Sequence, residues 1–361
     1  MGKYRIAVYA ICKNEEKFVD KWLESMSEAD DIYVTDTGSQ DGTVEKLRAG
    51  GAHVQSVILP KWRFDAARNI SLDFVPDNVD ICVCTDLDEI LEKGWRRLVE
   101  EAWKENTTRL KYVYNWSLDA EGKPISSFMY EKIHKRHGYK WIYPVHEVLK
   151  YIGEGSEKIV VEKRICLNHY PDRTKSRGQY LGLLELSAAE NPNVSRAAHY
   201  LGREYMYYGM WDKCIAELKR HIEMPSSTWR EERCASMRFI ARAYKAKKEY
   251  KEAEGWLYRA ISEAPHLREP YVEMALLAYN IKKWHIVYAM TKEALAIEKN
   301  PLVYINEQFS YDFTPYDLGA LAAFNMGMYN EALELALKAY KKAPENQRLK
   351  ENVSCIKKYV S

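Results

Sequence analysis

The chain has 361 residues, 47% hydrophobic and 29% charged, which is ordinary for a globular protein of two or three domains. A formal net charge of +2 disfavours a dedicated nucleic-acid-binding protein, and no segment approaches the roughly 20 apolar residues that span a bilayer. Seven cysteines without metal-ligand spacing disfavour a disulfide framework, and a strand-like run from Tyr4 leaves no room for a signal peptide, so we expect a cytoplasmic protein.

The first half of the sequence alternates between strand-like and helix-like stretches. Apolar runs predict strands at 4–11, 31–35, 52–59 and 80–85. Apolar residues at helical spacing predict helices at 15–26, from 44 to 49, and at 64–74. This alternation predicts a mainly parallel, doubly wound, Rossmann-like sheet. The stretch that follows is more irregular and rich in β-structure, with runs at 109–116, 142–151 and 158–168.

The last predicted strand of the parallel sheet ends in the acidic segment Val83–Glu89. Its carboxylates Asp86 and Asp88 are spaced by one residue, with no Lys or Arg within three residues on either side. Open α/β sheets bind ligands in the crevice outside the carboxyl ends of their strands. Two carboxylates there suit Mg²⁺ or Mn²⁺ bound together with substrate phosphates. The alternative is a solvated turn that caps the next helix, because Asp is common at N-caps.

Other polar segments follow the neighbouring strands, and a parallel sheet would bring them to the same edge. They are Lys13 and Glu15 after Ile11, the turn 36–43 that starts at Asp36, and Asp65 with Arg68 at the start of a helix. The carboxylates would accept hydrogen bonds from ribose and base or hold a metal, and the cations would neutralise phosphate. This set suits a nucleoside diphosphate with a divalent ion, and neither the Walker nor the dinucleotide-binding glycine pattern is present.

From about Asp172 the pattern becomes all-helical and repeats. Equivalent pairs of residues open successive units at Leu201-Gly202, Ile240-Ala241, Met274-Ala275 and Gly319-Ala320. The units start 39, 34 and 45 residues apart, and the middle spacing meets the tetratricopeptide period of about 34 residues. Small residues at fixed positions let paired helices approach closely, so we predict tetratricopeptide-type helical repeats. An ordinary helical bundle is the alternative.

Taken together, the motifs resemble those of a known family in their order and spacing. The matching segments are Ala10–Glu16, Asp36–Thr43, Phe64–Asn69, Asp86–Glu89, Val145–Glu147 and His169-Tyr170. They resemble the motif set of family 2 glycosyltransferases with the GT-A fold, over most of residues 3–190. The chain is most similar to bacterial and phage members that fuse this domain to tetratricopeptide repeats, and its architecture also resembles bacteriocin peptide S-glycosyltransferases.

The resemblance implies a GT-A domain over residues 1–175 and an all-α repeat domain over residues 176–361. It implies a metal site formed by Asp86, Asp88 and His169 that holds Mn²⁺ or Mg²⁺. It also implies a nucleotide-sugar site, for UDP above other nucleotides, that is lined by Ile11, Lys13, Glu15, Asp36, Asp65, Arg68, Asp86 and Leu87. The family is generally inverting, so a base near the acceptor is needed; Glu147 is the candidate and His146 the alternative.

The expected function is therefore metal-dependent transfer of a sugar to a peptide, protein or glycan that the repeats present. Repeats often mediate self-association, so we also expect a homo-oligomer. One alternative is a repeat-based interaction protein with a catalytically silent first domain, because concave repeat surfaces bind peptides. Another is a nucleotidyltransferase, which usually carries a glycine-rich loop after the first strand where this chain has Cys12–Glu15. His169 also has an alternative role: instead of binding a metal, it could be a buried histidine that is hydrogen-bonded within the core.

Overall fold

A computed structural model describes residues 2–172, 178, 180–301 and 303–360 of the protein. Contacts within the chain divide it into two compact units. The first comprises Met1–Ser187 with Leu302–Tyr304, and the second comprises Ala188–Pro301 with Ile305–Ser361. No helix among the described residues is long and apolar enough to cross a membrane.

The first unit alternates strands and helices and then becomes β-rich. Its strands are β1 Ile6–Cys12, β2 Asp31–Asp36, β3 His53–Ser56, β4 Ile81–Cys84, β5 Glu89–Leu91, β6 Arg109–Leu118, β7 Pro124–Lys135, β8 Tyr139–Ile142, β9 Val148–Tyr151 and β10 Ile159–His169. Its helices are α1 Glu16–Met26, α2 Thr43–Ala49, α3 Phe64–Asp73, α4 Trp95–Ala102 and α5 Tyr180–Glu190, the last of which continues into the second unit after Ser187.

Eight of the described strands form one sheet, in the order β3-β2-β1-β4-β7-β6-β10-β5. The strands β3, β2, β1 and β4 are all parallel, which confirms the predicted doubly wound part. The long strand β7 pairs antiparallel with both β4 and β6, whereas β10 runs parallel to β6. The carboxyl ends of β1, β2 and β4 therefore lie at one edge of the sheet.

Both faces of this sheet are covered, which explains why its central strands are apolar throughout. All residues of β1 are buried, and alternate side chains belong to two different cores. Ile6, Val8 and Ala10 pack with Trp22 and other residues of α1, α2 and α4. The opposite side chains pack with α3 and the small β8–β9 sheet through Ala7, Tyr9, Leu72, Cys82, Tyr139 and Trp141. A parallel strand buried on both faces reads as a continuous apolar run.

Three features of the first unit differ from the sequence-based prediction. The longest strand, β7, was not predicted, because its apolar residues alternate with serines and charged residues. The run predicted over 142–151 is wrong as one strand, since β8 and β9 form a hairpin separated by residues 143–147. The helical part, predicted from about Asp172, has its first described helix at Tyr180; residues 173–177 and 179 lie outside the described residues.

The second unit is built from helices in the described residues. They are α6 Ser195–Tyr207, α7 Trp211–Glu223, α8 Arg230–Ala246, α9 Tyr250–Glu263, α10 Glu269–Asn280, α11 Trp284–Ala296, α12 Thr314–Asn325, α13 Tyr329–Lys342 and α14 Gln347–Ile356. Turns of a few residues join the two helices of each pair, at 208–210, 247–249, 281–283 and 326–328, and small residues lie where paired helices meet. Ala260, Ala294 and Ala339 are fully buried, and Gly202 lies against Leu218. These helix pairs confirm the predicted helical-repeat architecture.

Candidate active site

The edge of the first unit that carries the predicted site residues begins where β1, β2 and β4 end. Cys12 of β1 pairs directly with Asp36 of β2, and Tyr9 of β1 pairs with Cys84 of β4. The segment after β4 is held from behind, because the indole N–H of Trp22 in α1 donates a 3.0 Å hydrogen bond to Thr85. Asp36 thus ends β2, and Asp86 and Asp88 lie in the turn that follows β4, at the shared edge that the sequence predicts for parallel strands.

Asp36 is buried and organises its own turn. Its carboxylate accepts hydrogen bonds from the backbone N–H groups of Gly38 and Ser39, both at 3.1 Å. Gly38 has φ 101°, a left-handed conformation that glycine adopts without strain. The carboxylate therefore shapes the loop beside the end of β1, and any ligand contact from it would come in addition to this role.

A buried arginine connects three of the predicted site segments. The guanidinium of Arg68 lies on the Trp141 ring, donates a 2.8 Å hydrogen bond to Asp86 and donates a 2.5 Å bond to Glu147. Arg68 is 3% exposed, so its charge depends on these carboxylates for compensation. The structure brings Arg68, Asp86 and Glu147 together across almost eighty residues of sequence, which supports their grouping in one site.

A second cation, Lys132 of β7, lies in the same cluster and was not predicted as a site residue. Its ammonium is 3.5 Å from Asp86 and 3.7 Å from Glu89, and the residue is 5% exposed. Burial alone would disfavour the ionised form of Asp86, but Arg68 and Lys132 outweigh it and hold the pKa of Asp86 well below its usual range. Asp86 is therefore a carboxylate held ionised between two buried cations.

Glu89 completes this buried charge cluster. Tyr114 donates a 2.8 Å hydrogen bond to one carboxylate oxygen, and the Asp86 backbone N–H donates a 2.9 Å bond to the other. Burial raises the pKa of Glu89 above its usual value, although Lys132 opposes the shift. Glu89 thus fixes the backbone of the acidic segment, and its role is structural support for Asp86 and Asp88.

Asp88 and His169 face each other at the more open side of the cluster. His169 Nε2 lies 3.4 Å from an Asp88 carboxylate oxygen, and Nδ1 lies 3.1 Å from the carbonyl oxygen of Trp116. A carbonyl only accepts, so Nδ1 carries the proton and Nε2 points at Asp88. Burial disfavours the charged imidazole, but Asp88 outweighs it and raises the pKa of His169. The indole of Trp116, stacked on the imidazole at 4.6 Å, holds the ring in place.

The other predicted nucleotide-sugar residues fall into three sets. Ile11 in β1 and Leu87 in the turn after β4 both have buried side chains, so their backbone is the part that could contact a ligand. Asp65 is 8% exposed and binds Arg63 through both carboxylate oxygens at 3.0 and 2.9 Å. Lys13 and Glu15 follow β1 at the predicted edge; Lys13 is exposed and Glu15 is 9% exposed.

The loop between β8 and β9 carries His146 and Glu147 in an unusual backbone conformation. Tyr143 has φ 76° and His146 has φ 49°, in the left-handed region that residues other than glycine rarely adopt. The carbonyl of Pro144 accepts a 3.0 Å hydrogen bond from the N–H of Phe64, which ties this loop to the start of α3. Such strain persists where surrounding contacts enforce it and is concentrated at functional sites.

Sequence reasoning did not place Lys132, Tyr114 and Trp116 in the candidate site, and it gave Glu89 of the matched motif no role of its own. The available signal for Lys132 was its place in an alternating strand, on the same face as Phe128 and Tyr130. A lysine in register with aromatic side chains on a covered face is a candidate buried charge. That signal depends on recognising β7 as a strand.

Comparison with known proteins supports the same region of the chain. Residues 7–144 match the family model of Glycosyl transferase family 2. Over 103 residues the chain is 29% identical to the lipopolysaccharide core biosynthesis glycosyltransferase LpsC of Rhizobium meliloti (strain 1021). That match covers 27% of this chain and 37% of the relative, so the chain spans little more than a third of the length of the curated relative it matches.

Two of the solved structures to which this chain is similar are described as tetratricopeptide proteins. YrrB, a tetratricopeptide protein with an unusual peptide-binding site, is 14% identical with a TM-score of 0.40, covering 49% of this chain and 82% of that chain. TTC0263, a thermophilic tetratricopeptide protein of Thermus thermophilus, is 20% identical with a TM-score of 0.35, covering 49% and 88%. Residues 7–144 are therefore a glycosyl transferase family 2 domain, which shares its chain with a helical-repeat unit.

Proposed function

We propose that the protein is an inverting, metal-dependent glycosyltransferase that uses a nucleoside-diphosphate sugar, UDP above other nucleotides, as its donor. The observation that carries this proposal is the pairing of Asp88 with His169 beside the buried Asp86 cluster. The family match of residues 7–144 supports the reaction class. We further propose that the repeats present a peptide, protein or glycan acceptor.

The side chains at this position fit a divalent cation. A neutral His169 Nε2 would direct a lone pair at the Asp88 carboxylate, an unfavourable contact unless a cation or proton lies between them. Two ligands bound to one ion at about 2.1 Å are about 3.0–3.4 Å apart, and these two atoms are 3.4 Å apart. The hydrogen bond from Nδ1 to the Trp116 carbonyl is the orienting contact that metal-bound histidines usually make. Asp88 and His169 would hold Mn²⁺ or Mg²⁺, with Asp86 close behind them.

When bound, the ion would supply positive charge next to the diphosphate, where negative charge grows as the sugar leaves. The chain's own residues do the remaining work. Arg68 and Lys132 hold Asp86 ionised and in place. The acceptor oxygen or sulfur attacks the anomeric carbon as the bond from that carbon to the phosphate oxygen breaks, which inverts the configuration. Glu147, held by Arg68, is the proposed base that receives the acceptor proton.

The test is a nucleotide-sugar hydrolysis and transfer assay with Mn²⁺ on the full chain, with EDTA as the metal-free control. We expect turnover that EDTA abolishes, and we expect Asp88→Ala to reduce it by at least about 100-fold. Asp77→Ala, which changes an exposed carboxylate of the same unit, is the matched control and should retain full turnover.

Two outcomes would contradict the proposal. Wild-type-like turnover of Asp88→Ala would remove the metal assignment. The absence of turnover and of binding with any nucleotide sugar would favour the alternative, an interaction protein whose first unit is catalytically silent. We also propose that the protein works in a reducing, cytoplasmic environment. The seven cysteines all lie in the described residues and are all free thiols, which supports this proposal.

A further inference from the structure

The start of the second unit contains a buried polar cluster that the proposed transfer reaction does not use. It consists of His199 on α6, His221 on α7 and Glu232 on α8. The two histidines are 0% exposed and Glu232 is 6% exposed. One nitrogen of each imidazole and one oxygen of the carboxylate all lie within 4.8 Å of one another.

The repeat pattern shows that the fold does not require a histidine at position 221. When the units are aligned on Leu201, Ile240, Met274 and Gly319, the other units have alanine at the position of His221, and these are Ala260, Ala294 and Ala339. All three alanines are fully buried at the corresponding helix contact. The cluster is therefore a local feature of one repeat, and burying its polar groups costs free energy unless something compensates them.

One hydroxyl orients both imidazole rings. Ser236 Oγ lies 2.8 Å from His199 Nδ1 and 2.9 Å from His221 Nδ1. A hydroxyl oxygen has two lone pairs, so Ser236 Oγ can accept a hydrogen bond from a protonated Nδ1 of each ring, which leaves each Nε2 without a proton. Metal-binding histidines are usually fixed in this way, through a hydrogen bond at the nitrogen that does not bind the metal.

The other ring nitrogen of His221, Nε2, lies close to two side-chain oxygen atoms. It lies 3.3 Å from a Glu232 carboxylate oxygen and 3.1 Å from Ser227 Oγ. Ligands bonded at about 2.0–2.1 Å to one tetrahedral ion are about 3.3–3.4 Å apart. The spacing of His221 and Glu232 therefore already matches two corners of a tetrahedral site.

We propose that His199, His221 and Glu232 bind one divalent transition-metal ion of the zinc class. Imidazole nitrogen and carboxylate oxygen form a donor set that zinc commonly takes, and complete burial is typical of a structural site. The ion ties α6, α7 and α8 together at the start of the repeats. Its role is structural and independent of glycosyl transfer.

The experiment uses the full chain carrying Asp88→Asn, so that the metal site proposed in the first unit does not contribute. The protein is stripped with a chelator and titrated with Zn²⁺ alone, and bound zinc is measured by elemental analysis after desalting, together with the melting temperature. We expect about one tightly bound equivalent and a higher melting temperature. Co²⁺ in place of Zn²⁺ should give the visible absorption of a tetrahedral ion.

The variants exploit the repeat pattern. His221→Ala introduces the residue that the other units carry, so it should fold, and it should lose the bound equivalent. Glu232→Gln should weaken binding while keeping the side-chain volume, and Ser236→Ala should weaken it by about 10- to 100-fold. His266→Ala is the matched control, because His266 is an exposed histidine that pairs with Glu231 at 3.0 Å, and it should retain the equivalent.

Equal zinc content in the parent protein and His221→Ala would overturn the proposal. The same is true if the parent binds no zinc at all. The cluster would then be a hydrogen-bonded relay in which His221 donates from Nε2 to Glu232 and Ser236 links the two imidazoles.

Discussion

The charges around Asp86 set the character of the candidate active site at the scale of single residues. Arg68 and Lys132 are both almost fully buried and both contact its carboxylate. Burial would lower the pKa of Lys132, but Asp86 and Glu89 outweigh it and keep this pKa well above its usual value. Buried charges of this kind are stable only as a complete set, so the removal of one member is costly.

Replacing Lys132 by methionine should destabilise the first unit. The variant leaves Glu89 without its cation and Asp86 with Arg68 alone, and breaking a buried pair of this kind costs about 3 kcal/mol. Urea unfolding of the purified protein measures the change in the free energy of unfolding. Lys135→Met, at an exposed position of the same strand, is the control. Equal midpoints for Lys132→Met and wild type would show that the ammonium does not compensate these carboxylates.

Replacing Glu147 by glutamine separates two roles of this side chain. Glutamine keeps an oxygen that accepts from Arg68 but cannot take up a proton from the acceptor, so we expect intact donor binding and transfer reduced by about 100-fold or more. Donor binding by calorimetry and transfer rates are measured on the same preparation, with the exposed Glu154→Gln as control. If donor binding is lost with transfer, Glu147 positions Arg68 instead of acting as the base.

The candidate-site residues that follow apolar strands could be predicted from the sequence. The carboxyl ends of parallel strands meet at one edge of a sheet, so polar residues directly after such strands are expected to lie together. Sequence reasoning predicted Asp86, Asp88 and Arg68 at that edge, and the structure places Arg68 2.8 Å from Asp86. It missed Lys132, because a lysine is far more often exposed than buried and only the three-dimensional pairing of β7 with β4 places it next to Asp86.

At the scale of elements, how well each strand could be predicted from the sequence depended on whether one or both of its faces are buried. The strands buried on both faces, β1, β2 and β4, have continuous apolar runs and were predicted within about two residues of their observed ends. The alternating strand β7 has no such run. The β8–β9 hairpin was read as one strand, because its turn uses Tyr143 and His146 in left-handed conformations where a glycine or asparagine would be expected.

His134 of β7 should make the first unit less stable in mild acid. Its Nδ1 donates to the Lys135 carbonyl at 2.8 Å and its Nε2 accepts from the Tyr9 hydroxyl at 2.9 Å, so the buried ring is neutral. Burial, with a smaller contribution from Arg109 and Arg136, lowers the pKa of His134 to about 3. As the pH falls from about 6.5 towards 3, the unfolded chain binds a proton that the folded chain does not.

The free energy of unfolding should therefore decrease by up to about 1.4 kcal/mol per pH unit from this group alone. The measurement is chemical denaturation at a series of pH values for wild type and His134→Gln. The variant should show a smaller slope across this window, and His137→Gln, at an exposed position, should match wild type. Parallel slopes for wild type and His134→Gln would rule out this contribution.

A side chain at Gly202 in α6 should destabilise the protein, in contrast to one at Gly255 in α9. A Cβ at Gly202 would lie 2.4 Å from a Leu218 methyl carbon, whereas nothing lies within 4 Å of a Cβ at Gly255. We expect Gly202→Ala to lower stability by about 1–3 kcal/mol through overpacking. Gly255→Ala should raise it by about 0.5–1 kcal/mol through helix propensity. Thermal unfolding of both variants measures these changes in stability. A change of the same sign for both variants would contradict the close approach of α6 and α7.

At the scale of the whole molecule, the two units differ in how much the sequence could show. The repeats were recognisable because small residues recur at helix contacts, and the fold confirms the helix pairs. The parallel part of the first unit was recognisable from alternating elements. The position of α5 was not recognisable, because its amphipathic pattern is weak. The division between the two units falls within this helix, after Ser187.

The central claim is that Asp88 and His169 share a divalent cation that neutralises the leaving diphosphate. The most direct measurement is a crystal structure of the full chain with UDP and Mn²⁺, with anomalous diffraction to locate manganese. We predict a manganese peak within about 2.0–2.3 Å of an Asp88 oxygen and of His169 Nε2, in contact with the diphosphate. A bound diphosphate with no manganese between these side chains, or with manganese held elsewhere, would contradict the claim.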